Sequence, residues 1–254
     1  MNCLTIVCRG LLAAALSCFI APAVGFGQSC HVSSDYDITV SEAALQFDRK
    51  SAPPQRLDMQ RGALNAGGNA VALSADERKR IAAFEARARE LVPRIKALGQ
   101  RAVDLMAAAI HEEATQSSPN SAARPELKAR VDARAKELKT RIANSTTSKE
   151  WRPEAINSYM AGVLADVVPL ITGDLAQKAL DLTMKGDLGG VVALKDQATA
   201  LHASLEQRIR KRLDTLEPEI QKLCPAVREL DRLESGVATP LPGGGRLNLI
   251  KVDG

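Results

Sequence analysis

The sequence predicts a mainly α-helical protein with a small N-terminal antiparallel β segment, in which four or more long helices form an elongated bundle. Three observations support this fold class. Aromatic residues make up only 3% of the 254 residues, and alanine and leucine dominate, which favours helices over a large β-sandwich. Apolar residues recur in steps of three and four through most of the chain after residue 73. Residues 36–73 instead show short stretches of alternating apolar residues.

Residues 1–27 have the pattern of a secretory signal peptide. Arg9 precedes an apolar run, residues 11–27, that has signal-peptide length and is too short to span a membrane comfortably. Small residues at the −3 and −1 positions predict cleavage after Ala23 or after Gly27. No later segment is both long and apolar enough to span a bilayer, so we expect no transmembrane segment after cleavage.

The cysteines indicate a single disulfide bond. Cleavage of the signal would remove three of the five cysteines and leave Cys30 and Cys224. Two thiols in an oxidising compartment usually pair, so we predict a Cys30–Cys224 bond that joins the two ends of the folded domain. The alternatives are two free buried thiols or a lipidated Cys30, although Gly27 stands where a lipidation signal would have a leucine-like residue.

Residues 28–73 are predicted to form the small β segment, with three or four short antiparallel strands. Alternating apolar residues start near Ile38, and a second pair of apolar stretches flanks a turn at Gly67-Gly68-Asn69. Pro53-Pro54 is expected to interrupt the strands as a loop, because proline cannot donate to a strand ladder.

A long helix is predicted to begin after Ser74 and to run to about Gln116. Ser74 and Glu77 fit a capping box, in which each side chain accepts a hydrogen bond from the other residue's backbone N–H. Pro93 and Gly99 are weak points of this helix. The following apolar residues form a seam of coiled-coil type, predicted either to pack within the bundle or to pair with another chain: Ile81, Phe84, Ala88, Leu91, Ile95, Leu98, Ala102, Leu105 and Ala109.

Further helices complete the predicted bundle, which covers residues 74–235. One starts at Pro125, another at Pro153, and the last helical region runs from about Leu194 to Leu230. The pattern leaves open whether that region is continuous through Pro218 and Pro225. Residues 236–254 are rich in glycine and proline and are predicted to be a flexible tail, with "RLNLIKV" as a candidate final strand.

This layout resembles the YggN-like family of uncharacterised exported proteins of Gram-negative bacteria. The resemblance rests on a cysteine just after the signal, on "DITVSEAALQF", on "ALSADERKRIAAFEARARELVP" before a long helix, and on "KLCPAVREL" near the end. It extends from about Cys30 to about Leu233. It implies a periplasmic location and no particular reaction.

The sequence predicts no catalytic, cofactor-binding or metal-binding set. His111 begins "HEEAT", but a second histidine is absent where a zinc-binding helix would need one. "KGDLGG", residues 185–190, lacks the lysine and hydroxyl residue of a phosphate-binding loop and is predicted to be a hinge. Asp166 and Asp174 lie near an apolar helix face and are the candidates for a carboxylate-dependent enzyme, although a capping or edge position is the favoured explanation.

The net charge and the basic runs do not point to a particular class of partner. The formal net charge of +4 is too small for a typical nucleic-acid binder. The basic runs at residues 77–80 and 206–213 contain no aromatic residues, and we expect them to be solvated helix faces, with weak contact to an anionic surface as the alternative.

The sequence therefore favours a non-catalytic periplasmic protein of the cell envelope that acts by binding, as a structural or chaperone-like component. Its protein partner is unknown, and we expect neither a nucleic-acid partner nor a cofactor. The first alternative is a protein that binds lipid or cell-wall surfaces. The second is the carboxylate-dependent enzyme.

Overall fold

A computed structural model describes residues 31–117, 124–151, 159, 162 and 178–253. These residues belong to two compact units. Unit 1 contains residues 31–98, 144–151 and 218–253. Unit 2 contains the described residues of 99–143 and 159–217. The predicted signal peptide, residues 1–27, lies outside the described residues.

The elements are numbered here in chain order. The strands are β1 (His31–Ser33), β2 (Asp37–Val40), β3 (Leu45–Asp48), β4 (Arg56–Gln60), β5 (Ala63–Ala66), β6 (Asn69–Ala70) and β7 (Lys251–Asp253). The helices are α1 (Ala75–Ser117), α2 (Arg124–Asn144), α3 (Leu188–Leu213), α4 (Glu217–Gln221) and α5 (Cys224–Ser235). Residues 178–184 are also helical, and 3-10 turns occupy Ser148–Trp151 and Asp214–Leu216.

Unit 1 is built on a five-stranded antiparallel sheet in the order β2-β3-β4-β5-β6. Its strands follow one another in sequence, so short turns connect them. Phe47 is opposite both Ile38 and Leu57, and Leu57 is opposite Ala66. Since alternate residues of a strand face the same side, this register gathers the apolar residues on one face, where six are buried: Leu45, Phe47, Leu57, Met59, Leu64 and Ala66.

The apolar seam in the first half of α1 covers that face. Ile81, Phe84, Ala88 and Leu91 are buried in the same hydrophobic cluster as the sheet residues. The aromatic rings of Phe84 and Phe47 lie edge to face, with centroids 6.1 Å apart. The seam in this half of the helix therefore packs on a β-sheet.

The predicted elongated bundle of four or more long helices is wrong. Among the described residues, three helices exceed twenty residues, with 43 in α1, 21 in α2 and 26 in α3, whereas α4 and α5 have 5 and 12. The β part is a five-stranded sheet plus a two-stranded sheet. The physical reason lies in what apolar spacing can show. Apolar residues three and four positions apart indicate that one face of a helix is buried, but they do not indicate whether a helix or a sheet covers that face.

The prediction that residues 236–254 form a flexible tail is also wrong for the described part. Val237, Leu241, Leu247 and Leu249 are buried in the unit 1 core, and β7 pairs antiparallel with β1, with His31 opposite Asp253. The glycine-rich stretch forms a turn closed by a 2.7 Å bond from the Leu241 N–H to the Gly245 carbonyl.

The prolines of the last helical region coincide with new helix starts. Pro218 lies in the first turn of α4 and Pro225 in the first turn of α5. Proline fits a first helical turn because the N–H it lacks has no partner there. The last helical region is therefore not one continuous helix through Pro218 and Pro225 but a series of separate helical segments.

Candidate functional site

Glu77 is the first of three buried glutamates in unit 1 that bind backbone N–H groups. It accepts a 2.8 Å hydrogen bond from the Ser74 N–H, and the Ser74 hydroxyl oxygen accepts from the Glu77 N–H at 3.3 Å. These two bonds are the reciprocal pair of a capping box. Glu77 also accepts from the N–H groups of Ala238 and Thr239 at 2.9 and 2.8 Å. The backbone bonds from Ser74 and Thr239 lower the pKa of Glu77 to about 2.

Glu85 holds the turn between β4 and β5. Its carboxylate accepts from the N–H groups of Arg61 and Gly62 at 3.1 and 2.9 Å. Both turn residues have positive φ, 50° and 80°. A side chain at Gly62 would place its Cβ 2.7 Å from the Arg78 carbonyl oxygen, so glycine is required both for the turn and for close approach to α1.

Glu234 is the most deeply buried of the three, with 2% of its surface exposed. It accepts from the N–H groups of Leu249 and Ile250 at 2.9 and 3.0 Å and so attaches the C-terminal segment to α5. Burial raises the pKa of Glu234 to about 7, against the opposing effect of these two hydrogen bonds, and the nearby negative charge of Asp231 adds to the increase.

The three glutamates have a structural role, because each one binds the backbone of a loop or of the C-terminal segment. Sequence reasoning identified Glu77 and missed Glu85 and Glu234. A signal for both was present: Glu85 is four residues after buried Ile81, and Glu234 is four residues after buried Leu230, so each carboxylate interrupts an apolar helix face.

In unit 2, "HEEAT" belongs to an ion-pair network. Arg208 donates to Glu113 at 2.9 Å, to Glu112 at 2.7 Å and to Gln116 at 2.7 Å, and Arg212 donates to Glu112 at 2.5 Å. Glu113 is 6% exposed. The network attaches α3 to the second half of α1. Within the basic run at residues 206–213, Arg208 and Arg212 are therefore paired with acidic residues, while Arg210 and Lys211 are exposed to solvent.

His111 points to a different neighbour. Its Nε2 lies 2.8 Å from Asp132 Oδ1, and Lys128 donates to the other oxygen of that carboxylate at 2.6 Å. The hydrogen bonds from Lys128 and His111 lower the pKa of Asp132. His111 and Asp132 border a groove of about 530 Å³ within unit 2, between α1 and α2. Its lining also includes Ala107, Ala108, Ala135 and Ala143.

The most unusual surface feature of unit 2 is a set of exposed large apolar side chains. Leu180, Met184, Leu188 and Val192 are 66%, 86%, 75% and 58% exposed; we call these four residues the apolar patch. They occupy the helical residues 178–184 and the start of α3. Leu180 and Met184 are four residues apart, as are Leu188 and Val192, so each pair shares one face of its helical segment. Apolar side chains exposed on one face can mark an interaction site.

Hydrogen bonds fix the backbone between the two helical segments that carry the apolar patch. Gly186 has a φ of 71°, and the Asp187 N–H donates to the Leu182 carbonyl at 2.9 Å, which is the helix ending of a Schellman motif. Asp187 then caps α3 by accepting from the Gly190 N–H at 2.9 Å. "KGDLGG", predicted to be a hinge, is therefore a hydrogen-bonded turn between two helical segments.

Three predicted site residues, Cys30, Asp166 and Asp174, lie outside the described residues. Cys224 is buried at the start of α5, and the Cys30–Cys224 bond stays a prediction. Within the part of the chain that the structure describes, no group of three or more His, Cys, Asp or Glu residues could hold a metal ion. No helix in that part is long and apolar enough to cross a membrane.

Comparison with known proteins identifies a family. A family model described as a protein of unknown function, DUF2884, matches residues 30–250. No curated protein and no solved structure matches the chain. Because the family model covers well over half of the chain, the protein belongs to the DUF2884 family.

Proposed function

We propose that this protein is a non-catalytic binding protein of the cell envelope, with a chaperone-like or structural role, and that it acts through unit 2. The observation that carries the proposal is the apolar patch. Met184, Leu188 and their two neighbours expose 58–86% of their surface, although burial of such side chains is favourable. A partner that covers them would gain this free energy.

The positions of the acidic residues favour binding over catalysis. Glu77, Glu85 and Glu234 bind backbone N–H groups, and Glu112 and Glu113 bind Arg208. A carboxylate that is held this way stabilises the fold. The alternative of a carboxylate-dependent enzyme rested on Asp166 and Asp174. The contacts of the five glutamates do not support that alternative.

Export to the periplasm is part of the same proposal. The signal-like residues 1–27 and the resemblance to the exported YggN-like proteins of Gram-negative bacteria support it. The family match begins at residue 30, which follows both predicted cleavage positions. The predicted Cys30–Cys224 bond would suit an oxidising compartment.

Site-specific photocrosslinking in living cells tests the proposal. A photoreactive amino acid at Met184 is expected to give a defined set of crosslinked products in the periplasmic fraction. The same amino acid at Gln197, an exposed position on α3, serves as the control. Identical products from the two positions, or none from Met184, would contradict binding through the apolar patch.

A further inference from the structure

Two buried glutamates hold the C-terminal segment, residues 236–253, to unit 1. Glu77 on α1 accepts hydrogen bonds from the N–H groups of residues 238 and 239, at the beginning of the segment. Glu234 on α5 accepts from the N–H groups of residues 249 and 250, near its end. The glycine-rich turn lies between these two attachments. The two ends of the segment therefore depend on two different carboxylates.

The two carboxylates respond to pH in opposite ways. Hydrogen bonds from the backbone of Ser74 and Thr239 lower the pKa of Glu77 to about 2, so Glu77 stays ionised from mildly acidic to alkaline pH. Burial raises the pKa of Glu234 to about 7, so Glu234 changes its protonation state near neutral pH. Of the two attachments, the one near the end of the segment is therefore the one that titrates in this range.

Glu234 is paired with no cation among the residues that the structure describes. Asp231, on the same helix, adds a negative charge that raises its pKa further, and Lys251 is paired with Asp35 at 2.7 Å. An ionised Glu234 is therefore stabilised in the closed structure by two backbone N–H groups, against the cost of its burial. Charged or titratable residues on the adjoining elements include Arg80 on α1, His31 on β1, Asp35 after it, and Lys251 and Asp253 on β7.

Release of the end of this segment would leave the five-stranded sheet in place. β7 pairs with β1 in a separate two-stranded sheet, so no strand pair of the larger sheet would be lost. The buried side chains that release would expose are Leu247 and Leu249, close to the end of the chain. Short terminal elements open locally at a lower free energy than core strands do. We therefore expect residues 247–253 to open without unfolding of the whole unit.

Opening of residues 247–253 would let water reach Glu234. The pKa of Glu234 would then return to an ordinary value of about 4.3, whereas it is about 7 in the closed form. Between these two pH values the closed form binds more protons than the open form, so the equilibrium constant for opening rises with pH. Above about pH 7 both forms are ionised, and the constant levels off.

From these observations we propose that residues 247–253 are a pH-sensitive latch on unit 1. The latch is closed while Glu234 is protonated, and ionisation of Glu234 near neutral pH favours its release from β1 and from the apolar core. Glu77 keeps the beginning of the C-terminal segment attached in both forms. The latch belongs to unit 1 and does not depend on the apolar patch, so it goes beyond the proposed function.

Hydrogen–deuterium exchange followed by NMR tests this proposal on the full chain as recovered from cells, between about pH 5 and pH 8. The readout is the protection factor of the Leu249 and Ile250 amides, in which the intrinsic dependence of exchange on pH is removed. We expect this protection factor to fall by roughly fifty- to hundredfold over that range, with most of the fall below pH 7. At each pH it should be lower than the protection factor of the β4 amides, because the latch opens without unfolding of the sheet.

Two outcomes of this measurement would overturn the proposal. A protection factor at Leu249 and Ile250 that does not change with pH would show that Glu234 does not control the latch. A protection factor equal to that of the β4 amides at every pH would show that residues 247–253 open when the whole unit unfolds and not locally.

Substitutions on α5 identify the titrating group. Glu234→Gln removes the titration, so the protection factor of the latch is expected to vary by no more than about threefold over the same pH range. The matched control Glu229→Gln removes another carboxylate of the same helix and should keep the full dependence. If Glu234→Gln does not fold, Asp231→Asn replaces it: loss of the Asp231 charge lowers the pKa of Glu234, so the fall should be smaller and should end at a lower pH. The same pH dependence in the folded α5 variant as in Glu229→Gln would contradict the latch.

Discussion

Replacing Phe84 with alanine is expected to lower the free energy of unfolding of unit 1 by about 3–5 kcal/mol. Phe84 is 1% exposed and lies in the cluster that joins α1 to the sheet. Its ring contacts that of Phe47, which in turn lies edge to face with Tyr36 at 6.5 Å. The substitution leaves a cavity between helix and sheet that neither rigid element can close.

Urea unfolding followed by tryptophan fluorescence measures this effect. Trp151, the single tryptophan of the chain, lies in unit 1 and reports its unfolding. Arg87→Ala is the control, because Arg87 is exposed and its ion pair with Glu90 is on the surface, and such pairs contribute about 0–1 kcal/mol. A loss below about 1 kcal/mol in Phe84→Ala would contradict the packing of α1 on the sheet.

The second large effect is a dependence of stability on pH that comes from Glu234. Its pKa is about 7 in the folded protein, against a usual value of about 4.3 in the unfolded chain. Between these pH values the folded state binds more protons than the unfolded state, so the free energy of unfolding falls as pH rises. At 1.36 kcal/mol per pKa unit, Glu234 accounts for a decrease of roughly 3 kcal/mol across this window.

Glu77 acts in the opposite direction at lower pH. Because the pKa of Glu77 is lowered to about 2, its stabilising contribution is present above its ordinary pKa of about 4.3 and is lost as the pH falls towards 2. We therefore expect unit 1 to be most stable on the acid side of neutrality. Glu234 then controls the loss of stability towards pH 7.

Urea unfolding at a series of pH values tests the effect of Glu234. The variant Glu234→Gln keeps the shape of the side chain and removes its titration, so its pH dependence between about pH 4.5 and 7 is expected to be smaller by roughly 3 kcal/mol. Glu90→Gln, a substitution at an exposed carboxylate of unit 1, should keep the dependence of the unsubstituted protein. Parallel curves for all three proteins would contradict the assignment.

Local signals in the sequence predicted local structure well. Ser74 and Glu77 indicated the start of α1, which begins at Ala75, because a capping box depends on residues three positions apart. Pro125 indicated a helix that the structure places at Arg124–Asn144. Gly67-Gly68 indicated the turn that leads into β6, where both glycines have positive φ.

Contacts between distant residues could not be predicted in this way. The spacing of the apolar residues in α1 did not indicate whether another helix or the strand residues Phe47 and Leu57 would cover its apolar face. The three successive glycines 243–245 have the composition of a linker, yet they belong to a turn that the Leu241–Gly245 hydrogen bond closes, between the buried side chains of Leu241 and Leu247. The apolar patch was also missed, since Leu188 fell within the predicted hinge at residues 185–190 and Val192 lay before the predicted start of the last helical region near Leu194.

The central claim is that the protein acts by binding a partner through its exposed apolar side chains. The most direct test compares photocrosslinking in cells from Met184 in the otherwise unsubstituted protein with that in Leu180→Ser. Leu180 and Met184 are four residues apart and share a helix face, so we predict a lower yield of crosslinked products in Leu180→Ser and an unchanged yield in the control Gln197→Ser. Equal yields in all three proteins would contradict the account.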